Sequence, residues 1–160
     1  MFRTLLCTAG ALLSAVTAAV YLNFSVRVMP ELGRLAPATG IARMQGFNRA
    51  AVQAPFMICF FGAAVASAIL LLRVLRGDRD AIDAVAALGG VAYLAGFLLT
   101  IAYNVPLDDR LATLERGSGG DAFWRHYLTH WTRANSIRAG LSAVSALSLS
   151  AATLLGATGD

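Results

Sequence analysis

DAFWRHYLTHWTRANSIR, residues 121–138, runs without a proline into AGLSAVSALSLSAATLLGATG, residues 139–159, and the fold turns on reading the two as one helix. At about 100° per residue, Trp124, Tyr127, Trp131, Asn135 and Arg138 fall within an arc of roughly 80°, because spacings of three and four return to the same helix face. Arg125 and Arg133 point to the opposite side, and His126 and His130 lie on a flank. The continuation carries no charge at all, so the first half of the helix is predicted to be wet and the second half to sit in lipid. Asn135 and Arg138 then fall at the membrane boundary. An arginine is retained there only when a carboxylate, a carbonyl, a headgroup or a ligand meets it.

Composition agrees with a membrane chain. Hydrophobic residues make up 58% of the 160 and charged residues only 14%, outside the usual range of soluble domains, which predicts a single integral membrane domain over 1–160. The uncharged stretches 4–26, 50–72, 84–107 and 139–159 each reach the roughly 20 residues needed to cross a hydrocarbon core. The predicted fold is all-α: a membrane-spanning antiparallel four-helix bundle with short interfacial helices on one side. The first stretch also has features of a cleaved signal peptide, with Arg3 ahead of it and Ala15, Thr17 and Ala18 within it, but its apolar run continues through Tyr21 and Leu22. The formal charge of +4 comes entirely from arginines spread over every loop, so no nucleic-acid patch is implied. Cys7 and Cys59 fall at different depths and form no Cys-x-x-Cys pair, as a quinone reductase coupled to disulfide formation would need. They read as small apolar core residues.

Along the chain, Gly10, Ser14 and Ala18 repeat at spacings of four, and Gly62 with Ala66 does the same. Such faces let membrane helices approach closely, within one chain or in a homo-oligomer, and Gly89, Gly90 and Gly96 suit the same packing. Met29-Pro30 is predicted to stop or kink the first helix. Residues 31–53 leave the membrane as a connecting cap, with a turn at Pro37 and Gly40 and a short amphipathic helix over 41–49 carrying Met44 and Asn48 on one face. Pro55 sits in the first turn of the second span, where a missing amide donor costs least. A short charged turn centred on Gly77 joins the second and third spans, Pro106 is predicted to break the third, and 115–120 reads as a flexible link. Alternating spans put the cap, the Asn104 to Asp108 corner and the Trp124 to Arg138 face on one membrane side. The arginine count makes that side cytoplasmic.

Met29-Pro30, Met44 with Asn48 and Pro55, Asn104-Val105-Pro106-Leu107, and above all Trp124, Tyr127, Trp131, Asn135 and Arg138 at their spacings together resemble the anthrone oxygenase-like family of small four-helix membrane proteins. Characterised fungal members of that family act on polyketide anthrones. The resemblance implies an integral protein of a bacterial inner (cytoplasmic) membrane, in contact with the bilayer and with an apolar aromatic small molecule, working without a cofactor. The reaction that the resemblance points to makes Asp108, Arg138 and Asn135 the candidate catalytic residues and Asn48, Asn104, Trp124, Tyr127 and Trp131 the candidate ligand-binding residues. Asp108 stands where the family pattern more often carries an asparagine, and His126 and His130 lie outside the pattern.

Oxygenation of an anthrone without metal or flavin needs a base, a cation to hold the enolate oxygen, and aromatic walls. Arg138 supplies a charge-assisted donor, Asn135 and Asn104 orient the oxygen, and the three aromatic residues offer stacking surfaces. Asp108 and the histidines are all available as the base. Set against this is a non-catalytic structural or accessory protein in which interfacial Trp and Tyr anchor the bundle, Asn104 caps a helix, and Arg138 pairs with Asp108. His126 and His130, four apart, provide two metal ligands but not a site, because Asp108, Asp109, Glu115 and Asp121 are not at diagnostic spacing. No metal is expected.

Overall fold

The computed structural model describes residues 1–77, 80–114 and 120–158, and its elements are helical throughout. In chain order they are α1 (Phe2–Asn23), a π-helical turn (Phe24–Val28), α2 (Met29–Gly33), α3 (Pro37–Ala51), α4 (Ala54–Arg76), α5 (Ala81–Leu99), a second π turn (Thr100–Asn104), α6 (Val105–Ala112) and α7 (Asp121–Thr158). α1 runs through its π turn into α2 as one rod, Phe2–Gly33, and α5 runs into α6 as another, Ala81–Ala112. With α4 and α7 these are four helices long and apolar enough to cross a membrane. The chain is an all-α integral membrane protein.

Neither Pro30, expected to stop or kink its helix, nor Pro106, expected to break its own, ends the rod that contains it. A proline lacks the amide that would bond four residues back, and its ring presses on that carbonyl. Here the residue before each proline bonds five residues back instead, Met29 N–H to Phe24 O and Val105 N–H to Thr100 O. The widened π turn lets the helix pass Pro30 and Pro106 and continue to Gly33 and Ala112. Pro37 and Gly40 likewise mark no turn: Pro37 opens α3 and Gly40 lies inside it. Glu115 to Gly119 of the expected link, Asp78 and Arg79 of the expected turn, and Gly159 lie outside the described residues.

In the bundle, α7 packs against α1 and α5, and α4 packs against the same two from the other side. Leu12, Ile58, Val65, Leu98 and Leu147 are exposed on the outside, the surface that lipid covers. Inside, the α1 face runs Cys7, Gly10, Ser14, Thr17, Tyr21, with Thr17 in place of the expected Ala18. A Cβ at Gly10 would lie 2.9 Å from Leu149 Cδ1, and one at Gly89 would lie 2.9 Å from Leu149 Cγ, so two glycines admit one leucine of α7. Ser14 Oγ and Ser145 Oγ share a hydrogen bond of 3.1 Å between α1 and α7. Cys7 is buried, Cys59 half-buried, and both thiols are free.

Arg3 donates to Asp80 (2.7 Å) and Asp83 (3.3 Å), fixing the start of α1 beside the start of α5. Asp80 also caps α5, accepting from Asp83 N at 2.7 Å. The Arg3 guanidinium holds the Asp80 carboxyl below the usual carboxylate range. Cysteines introduced at Gly77 and Thr113 are expected to react with impermeant maleimide from opposite sides of the membrane; labelling from one side would rule out the four-span topology.

Counting from that end, Tyr21, Thr100 and Arg138 each lie 19 or 20 residues along their helices, about 30 Å at 1.5 Å per residue. α4 begins at this level, and Phe56 in its first turns meets the Tyr21 ring at 5.9 Å. One hydrocarbon thickness thus separates the two ends. Beyond it α2, α6 and the first half of α7 project, and α3 closes over them around Met29, Leu32, Ile41, Met44, Leu111, Trp124, Tyr127 and Trp131. The expected short helix over 41–49 is the longer α3. A Cβ at Gly40 would lie 2.7 Å from Trp124 Cζ2 and 3.1 Å from Leu32 O. Gly40→Ala is therefore expected to destabilise the protein by about 1–3 kcal/mol, the usual cost of overpacking, read as a lower melting temperature in detergent.

Candidate functional site

The buried face of α7 meets both π turns. Irregular backbone at membrane depth is tolerated only where other groups support it, and α7 provides them. Asn135 Nδ2 donates to Tyr21 O (2.6 Å) and Ser25 Oγ (2.8 Å) at the first turn. At the second, Thr100 Oγ1 donates to Gly96 O (2.9 Å) and accepts from Arg138 Nη1 (3.1 Å), while Asn104 Nδ2 donates to Trp131 O (3.4 Å). Asn135, Asn104, Trp131 and Arg138, all singled out in the sequence, are brought together here. Tyr21, Ser25 and Thr100 join them unforeseen. Tyr21 was detectable only as the last member of the buried α1 series.

Arg138 is 5% exposed. Its Nη2 donates to Asn135 Oδ1 (2.7 Å), and the guanidinium carbon lies 4.2 Å from the Tyr21 ring centroid and 5.4 Å from that of Trp131. Among the described residues no carboxylate lies within ion-pair distance of it. The pairing with Asp108 on which the structural alternative relied is not formed among the described residues. A guanidinium out of water whose hydrogen-bond partners are all neutral has its desolvation only partly compensated. Arg138 Nε, Asn104 Oδ1, Trp131 Nε1 and Tyr21 OH are all buried without a hydrogen-bond partner, so four polar atoms of one cluster are left unsatisfied.

Asp108, on α6 beyond the second π turn, belongs to an adjoining group. Its Oδ1 accepts from Tyr127 OH (2.5 Å) and from Asn48 Nδ2 of α3 (3.1 Å). Both bonds fall on the same oxygen. Gln45 Nε2 donates to Leu111 O (2.9 Å) and Leu114 O (3.1 Å), holding α3 over the end of α6. Trp124, Tyr127 and Trp131 stack on one another, with centroids 5.7 and 5.9 Å apart and planes within 18°. Trp124 is packed in the cap core, and Trp131 is the member of this ladder that borders Arg138.

His126 and His130 are exposed, with their rings stacked at 4.0 Å and His130 Nδ1 3.2 Å from Tyr103 OH. Among the described residues no three His, Cys, Asp or Glu side chains converge as a metal site would require. An open cleft lined by Ile69, Leu72, Arg73, Arg76 and Gly77 lies at the opposite membrane face.

Residues 44–148, about two thirds of the chain, match the family model described as Anthrone oxygenase. No curated protein and no solved structure matches the chain. The matched stretch includes Asn48, Asn104, Asp108 and the α7 face from Trp124 to Arg138, whereas Tyr21 and Ser25 precede it.

Proposed function

The chain belongs to the anthrone oxygenase family, and from that premise we propose that it binds and oxidises an apolar, enolisable aromatic ketone reached from the bilayer. The observation that carries this is Arg138, a buried guanidinium with no carboxylate partner among the described residues and with Nε unused. A ligand oxygen that becomes anionic supplies the missing charge. Arg138 then stabilises the enolate far more than the neutral ketone, which is what lowers the barrier to forming it.

Asp108 is the base in this scheme. It is half-buried among Tyr127 and Asn48, and Oδ2 makes neither of those bonds, whereas His126 and His130 face outward on the flank of α7. Asp108 takes one proton from the methylene carbon and the electron pair spreads onto the ketone oxygen at Arg138. Molecular oxygen adds to that carbon, giving a peroxide that the protonated Asp108 neutralises. Loss of the remaining carbon-bound hydrogen with O–O cleavage leaves a second carbonyl and one water. One oxygen atom enters the product and the other leaves as water, with no cofactor. Chain 1–160 acts in this as one domain, and Asn48 with Tyr127 positions the base.

One observation favours a second, structural role for part of the cluster. Asn135 spends its amide on Tyr21 O and Ser25 Oγ and its carbonyl on Arg138. It acts as a clamp between α1 and α7 that positions Arg138, while the ligand is met by Arg138, Asn104 and Trp131. The direct test is oxygen uptake and quinone formation from anthrone by the purified protein. No turnover above the uncatalysed rate, together with no anthrone retained, would leave the clamp as the whole function of the cluster.

A further inference from the structure

We propose that Tyr21 is a ligand-binding residue, its hydroxyl forming with Arg138 Nε the pair of donors that holds the anionic oxygen. This rests on the ligand site proposed above and adds a residue of α1 that lies outside the stretch matching the family. Tyr21 is 6% exposed, and its OH lies close to Thr100 and Arg138 without forming a hydrogen bond of normal geometry to a protein group. A buried hydroxyl without a partner is costly to keep. Packing alone would be served as well by phenylalanine, which would keep the ring under the guanidinium at 4.2 Å and in contact with Phe56 at 5.9 Å.

The neighbouring groups explain why the hydroxyl stays available. Thr100 Oγ1 gives its proton to Gly96 O and takes one from Arg138 Nη1. Asn135, whose amide reaches Tyr21 O, is committed to the backbone of Tyr21 and not to its phenol. Nη1 and Nη2 each make one bond, whereas Nε–H and the Tyr21 O–H make none and, with Trp131 Nε1–H, are the wholly unused donors of the cluster. Two donors aimed at one acceptor are the arrangement that favours an oxyanion over a neutral carbonyl.

Tyr21→Phe tests this because it removes only the oxygen. In detergent or nanodiscs, under oxygen-free conditions, anthrone is titrated against wild type, Tyr21→Phe and Arg138→Leu, with bound enolate read from its visible absorption and anthracene as the neutral control. Tyr21→Phe is expected to match or exceed wild type in ligand-free melting temperature, to bind anthracene unchanged, and to bind the enolate about ten- to a hundredfold more weakly, the loss of one hydrogen bond to a charged oxygen. Enolate binding equal to wild type in Tyr21→Phe but lost in Arg138→Leu would overturn the role of Tyr21 and leave the ligand site standing. A lower ligand-free melting temperature in Tyr21→Phe would overturn it too, since the hydroxyl would then have a protein partner. Failure of wild type to hold the enolate at all would overturn both.

Discussion

Arg138→Leu is expected to lower kcat/KM for anthrone oxidation by about 10²–10³, the loss typical when a preorganised donor to a developing oxyanion is removed, while the bundle remains folded. The stability effect is small because two terms oppose. Leucine leaves Asn135 Oδ1 without the Nη2 donor at 2.7 Å but relieves the burial of a cation that no carboxylate in the described residues meets at ion-pair distance. The net change is expected to stay within about 2 kcal/mol, inside the range of ordinary substitutions. Lysine is not expected to rescue activity, because an ammonium cannot reproduce the planar fork that serves Thr100, Asn135 and a ligand together. With Asp108 bonded to Tyr127 and Asn48 instead, the stability effects of Arg138→Leu and Asp108→Asn should add. A large loss of melting temperature in Arg138→Leu, rescued in the double variant, would restore the ion-pair clamp and remove the case for a ligand.

Asp108→Asn is expected to separate proton abstraction from binding. The amide oxygen can still accept from Tyr127 and Asn48, so stability should change little, but an amide cannot take the methylene proton. Turnover should fall by about 10²–10⁴, the usual contribution of a general base. Retention of a ligand added already ionised should survive, because Arg138 and not Asp108 holds its oxygen. His126→Ala and His130→Ala should leave both properties intact, since neither side chain faces the cluster. Turnover unaffected by Asp108→Asn and abolished by His130→Ala would move the base to the outer flank of α7.

Much of this architecture was legible in the sequence because α7 obeys one simple periodicity over its whole length. Trp124, Tyr127, Trp131, Asn135 and Arg138 are all buried and Arg125 and Arg133 are exposed, as their spacing predicts. The prolines misled because the rule that proline ends a helix assumes bonds four residues back, and both rods use a bond five back at the critical place. Tyr21 was passed over because a tyrosine near the end of an apolar span is ordinary at a membrane interface. Nothing in the sequence distinguishes a bonded hydroxyl from an orphaned one. The Asp108 to Arg138 pairing of the structural alternative could not be decided from spacing, because it depends on how α3 folds over α6: Asn48 and Tyr127 take the carboxylate oxygen instead.

The paired π turns set the angular phase of everything beyond them. Each accommodates about one more residue than an α-helical turn, and a residue of α-helix turns the chain by about 100°. The lower part of each rod is phased to the membrane bundle and the upper part to the cap, with the offset absorbed between Phe24 and Val28 and between Thr100 and Asn104. Deleting a single residue from either turn would return the bonding to four residues back and, with it, the clash that the wide turn relieves at Pro30 or Pro106. The rod would then kink or end at its proline and carry Met29 and Leu32, or Asp108 and Leu111, away from their partners. The extra residue in each turn, more than any loop, is therefore what keeps the cap seated over the arginine cluster.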